Sequence, residues 1–152
     1  GKIAADTPAH LAQSLASAKA RAVAKLHPAD TVLGFDTVVD CGGEVFGKPQ
    51  DEADALRMLR ALSGRTHKVH TGVCICKGGR AAATVETTLV HFSTIVEDDL
   101  RAHVRTPEPY DKAGAYAIQG HAALWCAGIE GCYYNIMGLP VHRAAQLLRE
   151  FA

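Results

Sequence analysis

One carboxylate, Asp36, stands inside the run Gly34-Phe35-Asp36-Thr37-Val38-Val39, which is otherwise apolar and β-branched. Burying a carboxylate in such a strand is costly unless a metal, a cation or hydrogen-bond donors meet it. Two readings follow: a metal ligand or general base at a strand tip, or a strand-end aspartate that holds a turn. Twelve residues on, Gly47-Lys48-Pro49 places a lysine before a proline, which forces Lys48 into extended backbone ahead of a helix. That suits an anionic ligand, and equally a solvated surface lysine. A third segment, Asp111-Lys112-Ala113-Gly114-Ala115-Tyr116-Ala117-Ile118-Gln119-Gly120, is rich in small residues that let backbone approach a ligand. It carries a cation in Lys112 and an amide that both donates and accepts in Gln119. Spacing alone does not bring the three segments together.

The elements that must position these residues are legible in outline. Asp6 or Thr7 can cap a first helix with Pro8 in its first turn, and Leu11, Leu15, Ala18, Ala22 and Leu26 recur at helical spacing. Thr31 to Val39 reads as a strand, Cys41-Gly42-Gly43 as a turn, and Glu44 to Phe46 as a short returning strand. Pro49 and Asp51 open a second helix that Gly64 ends. Thr66 to Lys77 and Ala82 to Val96 form a hairpin around Gly78-Gly79. Glu97, Asp98 and Asp99 load the start of a third helix with negative charge. Ala122 to Ile129 and Tyr133 to Ile136 read as a further strand pair turning at Glu130-Gly131, and Pro140 opens a last helix. Helices alternating with hairpins predict a single α/β (or α+β) domain over residues 1–152, built around a mixed sheet.

Composition narrows the function. The 152 residues are 48% hydrophobic and 21% charged, and sixteen basic side chains balance sixteen acidic ones. A neutral chain has no bulk attraction to nucleic acid or to an anionic membrane, and no apolar run is long enough to span a bilayer. Neither is expected as a partner. Five cysteines, an odd number in a domain that needs no staples, point to free thiols in a reducing, cytoplasmic setting. Cys74 and Cys76 share one strand face and read as small buried residues. His67 and His70 fall on opposite faces of their strand, which argues against shared metal ligation. Arg65, after Ser63-Gly64, reads as a substrate contact or as part of a helix-ending turn. Trp125, Tyr133 and Tyr134 read as core or subunit contacts, because no basic stripe accompanies them.

Five features occur in order: Asp36-Thr37 after a strand, Gly47-Lys48-Pro49, Leu62-Ser63-Gly64-Arg65-Thr66-His67 with Thr71-Gly72-Val73, the run Asp111 to Gly120, and Tyr134-Asn135-Ile136-Met137-Gly138-Leu139-Pro140. Together they resemble the Maf family of nucleoside triphosphate pyrophosphatases, over nearly the whole chain. The resemblance implies a fold similar to that of the inosine triphosphate pyrophosphatases, a curved mixed sheet flanked by helices with a nucleotide cleft. It implies hydrolysis of a nucleoside triphosphate to the monophosphate and pyrophosphate, a divalent cation such as Mg²⁺ or Mn²⁺, and a homodimer. Asp36 matches the proton acceptor or metal-site carboxylate, and Lys48 and Lys112 match phosphate contacts. Thr37 and Gln119 match positions linked to base choice. In these it looks like the dTTP/UTP subgroup, whose substrates extend to modified pyrimidine triphosphates, rather than the sister group acting on 7-methyl-GTP.

Two departures accompany the resemblance. Phe35 stands where the family has a small residue, which is expected to reshape the neighbourhood of Asp36. Residues 1–30 contain no match to the Ser-x-Ser-x-Arg-Arg loop with which the family opens, and the resemblance starts at the family's second helix. A chain without that triphosphate clamp is expected to be a weak pyrophosphatase. The alternative is a non-catalytic relative that binds a nucleotide or a partner protein in the control of cell division.

Overall fold

The computed structural model describes residues 7–151. Among the described residues five helices and five strands follow in the order α1 (Pro8–Leu26), β1 (Val32–Cys41), β2 (Glu44–Phe46), α2 (Glu52–Leu62), β3 (Thr66–Lys77), β4 (Arg80–Phe92), α3 (Glu97–Val104), β5 (Cys126–Glu130), α4 (Tyr133–Ile136) and α5 (Val141–Phe151). Short 3₁₀ turns cover Glu108–Asp111, Ala113–Ala115 and His121–Leu124. The strands form one sheet in the order β2-β1-β3-β4-β5, with β1–β2 and β4–β5 antiparallel. The α/β class expected from the sequence is the class observed. By contact density the chain divides into two compact units. One takes in the chain through Thr37, His70–Thr87, and the chain from Cys132; the other takes in Val38–Val69 and Thr88–Gly131.

In the first unit, Thr7 caps α1 by accepting the His10 N–H at 3.1 Å. Asp6, the other candidate cap, lies outside the described residues. The face that α1 buries is not the one its leucines suggest. Ala12, Ala16 and Ala20 are buried, while Leu15 and Leu26 are exposed. Glycines beneath the helix explain the inversion. A Cβ on Gly34 of β1 would stand 2.6 Å from the Ala16 carbonyl oxygen, and one on Gly72 of β3 would stand 2.6 Å from the Gln13 Cα. The helix backbone therefore rests directly on the strands, and only alanines fit between them. Ala16 and Ala20 pack with Cys74 and Cys76 on this face. On the opposite face Val73 and Ile75 pack with Ala144 and Leu147 of α5, joined by Leu33 and Phe35. The alternation along β1 thus puts Gly34 and Asp36 on the α1 side and Phe35 and Thr37 on the α5 side. Phe35 packs against the α5 cluster, on the face of β1 opposite Asp36.

In the second unit, Asp51 caps α2 by accepting the Asp54 N–H at 2.8 Å. Arg65 donates back to the Ala61 carbonyl at 3.4 Å, as a helix-ending turn would have it. Phe92 sits edge-on to His67, Tyr116 and Trp125, and forms the centre of an aromatic core. Trp125 is buried there, as expected of a core residue, whereas Tyr133 and Tyr134 are exposed.

One expected strand is a helix. Tyr133–Ile136 forms α4, and residues 121–124 form a 3₁₀ turn, leaving only Cys126–Glu130 as strand. Asn135 is the cause in α4. It is buried, its carbonyl accepts from the Thr71 hydroxyl at 3.2 Å, and its amide donates to the Glu86 carbonyl at 3.2 Å. Capture of one polar residue outweighs the strand preference of two tyrosines, which is a weak prior in any case.

Candidate active site

Asp36 lies on β1 with its side chain 15% exposed, and its Oδ1 is paired with the Lys19 ammonium of α1. The carboxylate in the apolar strand therefore has its cation. The turn-holding role belongs to another residue: Asp40 accepts the Gly43 N–H at 2.8 Å. Lys19 escaped the sequence reading because a lysine on an amphipathic helix reads as solvated. Positions 12, 16 and 19 share one helical face, and only the close approach of Gly34 and Gly72 to α1 reveals that this face meets the strands.

Thr37 points to the other side. Its hydroxyl is 2.9 Å from that of Thr71, and Thr71 in turn donates its single proton to the Asn135 carbonyl. Each hydroxyl has one proton to give. Thr37 must therefore donate to Thr71, which leaves Thr37 Oγ1 with lone pairs only. Thr71 is fully buried, so the chain Thr37→Thr71→Asn135 carbonyl is fixed by the fold. The first unit thus holds a carboxylate–ammonium pair and a hydroxyl locked as an acceptor.

The other three sequence candidates fall in the second unit. Lys48 is exposed, and its loop is tied to the Lys112 segment by the Gly114 N–H donating to the Gly47 carbonyl at 3.1 Å. Lys112 donates to Asp111 at 2.8 Å. That hydrogen bond, with the nearby charge of Lys48, holds the Asp111 carboxyl below the usual carboxylate range. Two lysines therefore gather around one solvent-facing carboxylate, which an anionic ligand can displace. Gln119 is exposed in the turn closed by the Gly120 N–H and the Ala117 carbonyl.

Deeper in that unit, His67 Nε2 and the Tyr116 hydroxyl are 2.6 Å apart and both residues are buried. Burial, with a smaller contribution from His91, pushes the His67 pKa down from 6.5 to about 4. Burial also holds the Tyr116 phenol well above its usual range. His67 is thus a neutral core imidazole. The unfolded chain takes up this proton near pH 6.5 and the folded chain only near pH 4, so the stabilisation is complete above 6.5 and is lost as pH falls toward 4. The shift corresponds to up to about 3 kcal/mol. Urea midpoints at pH 7.5 and 4.5 should fall further apart in the parent protein than in His67→Gln, which keeps a hydrogen-bonding side chain without a titratable ring. Equal pH dependence in the two would assign the acid loss to other groups.

Among the described residues the five cysteines form no disulfide. Among the described residues no helix is long and apolar enough to cross a membrane.

A profile of the family described as "Maf-like protein" matches residues 2–151. A dTTP/UTP pyrophosphatase of Symbiobacterium thermophilum is 50% identical over 147 residues, which cover 97% of this chain and 76% of that protein. One from Koribacter versatilis is 48% identical over 146 residues, 96% of this chain and 76% of the relative. One from Thermococcus gammatolerans is 49% identical over 135 residues, 89% of this chain and 72% of the relative. The chain belongs to the Maf-like family.

Proposed function

We propose that this protein is a nucleoside triphosphate pyrophosphatase that takes dTTP and UTP, releasing the monophosphate and pyrophosphate. The observation that carries the reading is the kinship with enzymes named for that activity, at 48–50% identity over nearly all of this chain. The site residues fit the chemistry. A triphosphate carries about four negative charges, and water must reach phosphorus through them. In the proposed roles Asp36 takes the proton from the attacking water, Lys19 orients that carboxylate, and Lys48 and Lys112 stabilise charge on the leaving pyrophosphate.

A divalent cation, Mg²⁺ or Mn²⁺, belongs to the proposal. Asp36 fits it: the carboxylate uses Oδ1 for Lys19 and stays partly accessible, and cations of this kind need only one or two protein carboxylates beside substrate phosphates and water. When bound, the cation screens phosphate charge and polarises the phosphoryl oxygen. A cytoplasmic homodimer completes the reading, with modified pyrimidine triphosphates as further substrates.

Base choice follows from hydrogen-bond polarity. Uracil and thymine present a donor at N3, flanked by carbonyl acceptors, whereas cytosine presents an acceptor at N3. Thr37 Oγ1, locked as an acceptor, matches the first pattern and meets the second lone pair to lone pair. The Gln119 amide supplies donor and acceptor for the remaining edge. Specificity constants for dTTP and UTP should exceed those for CTP and the purine triphosphates by about ten- to a hundredfold, the usual effect of one mispaired buried polar group. Thr71→Val removes the acceptor that takes the Thr37 proton, frees Thr37 to donate, and should shrink the dTTP-to-CTP ratio by about tenfold. The ratio is internal to each protein, so loss of folded enzyme does not affect it. A preference for 7-methyl-GTP or ITP would sink the substrate assignment. Nucleotide binding without hydrolysis would return the non-catalytic reading.

A further inference from the structure

In the second unit, three metal-ligating side chains with no assigned part in nucleotide hydrolysis converge. His103 closes the last turn of α3, Glu108 opens one 3₁₀ turn, and His121 opens another. Their potential ligand atoms all lie within 4.8 Å of one another. His103 Nδ1 is 3.1 Å from His121 Nδ1 and 3.6 Å from a Glu108 carboxylate oxygen, Oε2. Ligands of a tetrahedral zinc ion, at about 2.0–2.1 Å from the metal, stand roughly 3.3 Å from each other. The two measured edges bracket that value.

Three further observations favour a cation over a simple hydrogen-bonded cluster. The His103 ring is buried and its Nε2 is 2.9 Å from the Ala115 carbonyl, so Nε2 carries the proton and Nδ1 offers its lone pair. A histidine ligand is usually oriented by such a bond through its second nitrogen. The Glu108 Oε2 is buried and has no hydrogen-bond donor among the described residues, which is costly for a carboxylate oxygen. Glu108 is also admitted by design of the backbone: a Cβ on Gly120 would lie 2.6 Å from its carboxyl carbon. A proton shared between the two imidazoles would satisfy the histidines and leave Glu108 Oε2 stranded. A cation satisfies all three.

We propose that His103, Glu108 and His121 bind a divalent transition metal of the zinc class. Two imidazoles and one carboxylate are a zinc-type donor set, and the exposed side of His121 leaves a fourth position for water or for Asp99, which lines the same small cavity. The role is structural. The ion ties α3 to the segment 108–121, which carries Lys112 and Gln119, and the inference stands whether or not the chain hydrolyses nucleotides.

The test uses the whole chain, stripped of metal with a chelator and titrated with Zn²⁺ by calorimetry. One equivalent should bind and raise the thermal midpoint by roughly 5 °C or more at a hundredfold excess over the dissociation constant. His121→Asn and Glu108→Gln should each weaken binding by at least about tenfold and abolish the midpoint shift. His121 is exposed, so its variant tests the site even if a change at buried His103 prevents folding. Co²⁺ in place of Zn²⁺ should give the visible absorption of a tetrahedral nitrogen–oxygen site, without the intense thiolate band that binding at the cysteines would produce. Binding of less than one equivalent, or affinity unchanged in both His121→Asn and Glu108→Gln, overturns the proposal.

Discussion

Asp36→Asn should lower the turnover of dTTP by at least about 10²-fold in a chain that otherwise hydrolyses it. The substitution keeps the shape of the side chain and removes its charge, its basicity and most of its affinity for a cation. Folding should survive. Lys19 is 60% exposed, and losing a partner at such a site costs at most about 1 kcal/mol. The two proposed roles for the carboxylate separate experimentally. If Asp36 mainly holds the cation, raising Mg²⁺ or Mn²⁺ should recover part of the lost rate. If it mainly takes the proton, the loss should persist at saturating metal. Lys19→Met supplies the companion measurement. It leaves the carboxylate in place without its cation, so a smaller fall is expected. Turnover near normal in Asp36→Asn at saturating metal would remove Asp36 from the mechanism.

The candidate residues were legible because their motifs are local. Asp36-Thr37, Gly47-Lys48-Pro49 and the Asp111–Gly120 run are short, and each carries its own chemical oddity. Strand positions were legible for a similar reason, since Val32–Cys41 and Thr66–Lys77 are dense in β-branched residues. What escaped depends on partners distant in sequence. Leucine periodicity chose the wrong face of α1 because the deciding residues, Gly34 and Gly72, lie in strands. Asn135 turned an expected strand into a helix through Thr71 and Glu86. Lys19 gains meaning only from Asp36, seventeen positions away. His103 and His121 are separated by eighteen positions of turn and loop, with no regular period to bring them together. The lock on Thr37 is a matter of proton counting along three groups, which no pattern in the chain announces.

Gly72→Ala should be among the most damaging single substitutions in this protein, lowering stability by about 3 kcal/mol or more, at or above the upper end of what overpacking a core usually costs. A methyl group there meets backbone, not a side chain that could rotate away: the Ala12 carbonyl lies still closer than the Gln13 Cα. Relief requires α1 to lift from the sheet. Lifting it unpacks Ala16 and Ala20 from Cys74 and Cys76 and exposes that cluster. It also draws Lys19 away from Asp36, because the lysine rides on the same helix. Stability and chemistry should therefore fall together, and at temperatures where the variant remains folded its turnover should approach that of Lys19→Met. Gly128→Ala is the control. A Cβ at Gly128 has no atom within 4 Å, so that change should stay within about 1 kcal/mol of the parent. Denaturant titration of the two variants decides the matter. If Gly72→Ala loses no more than Gly128→Ala, the helix does not rest on the strand as closely as described, and the alanine face of α1 is not what aligns Lys19 with its carboxylate.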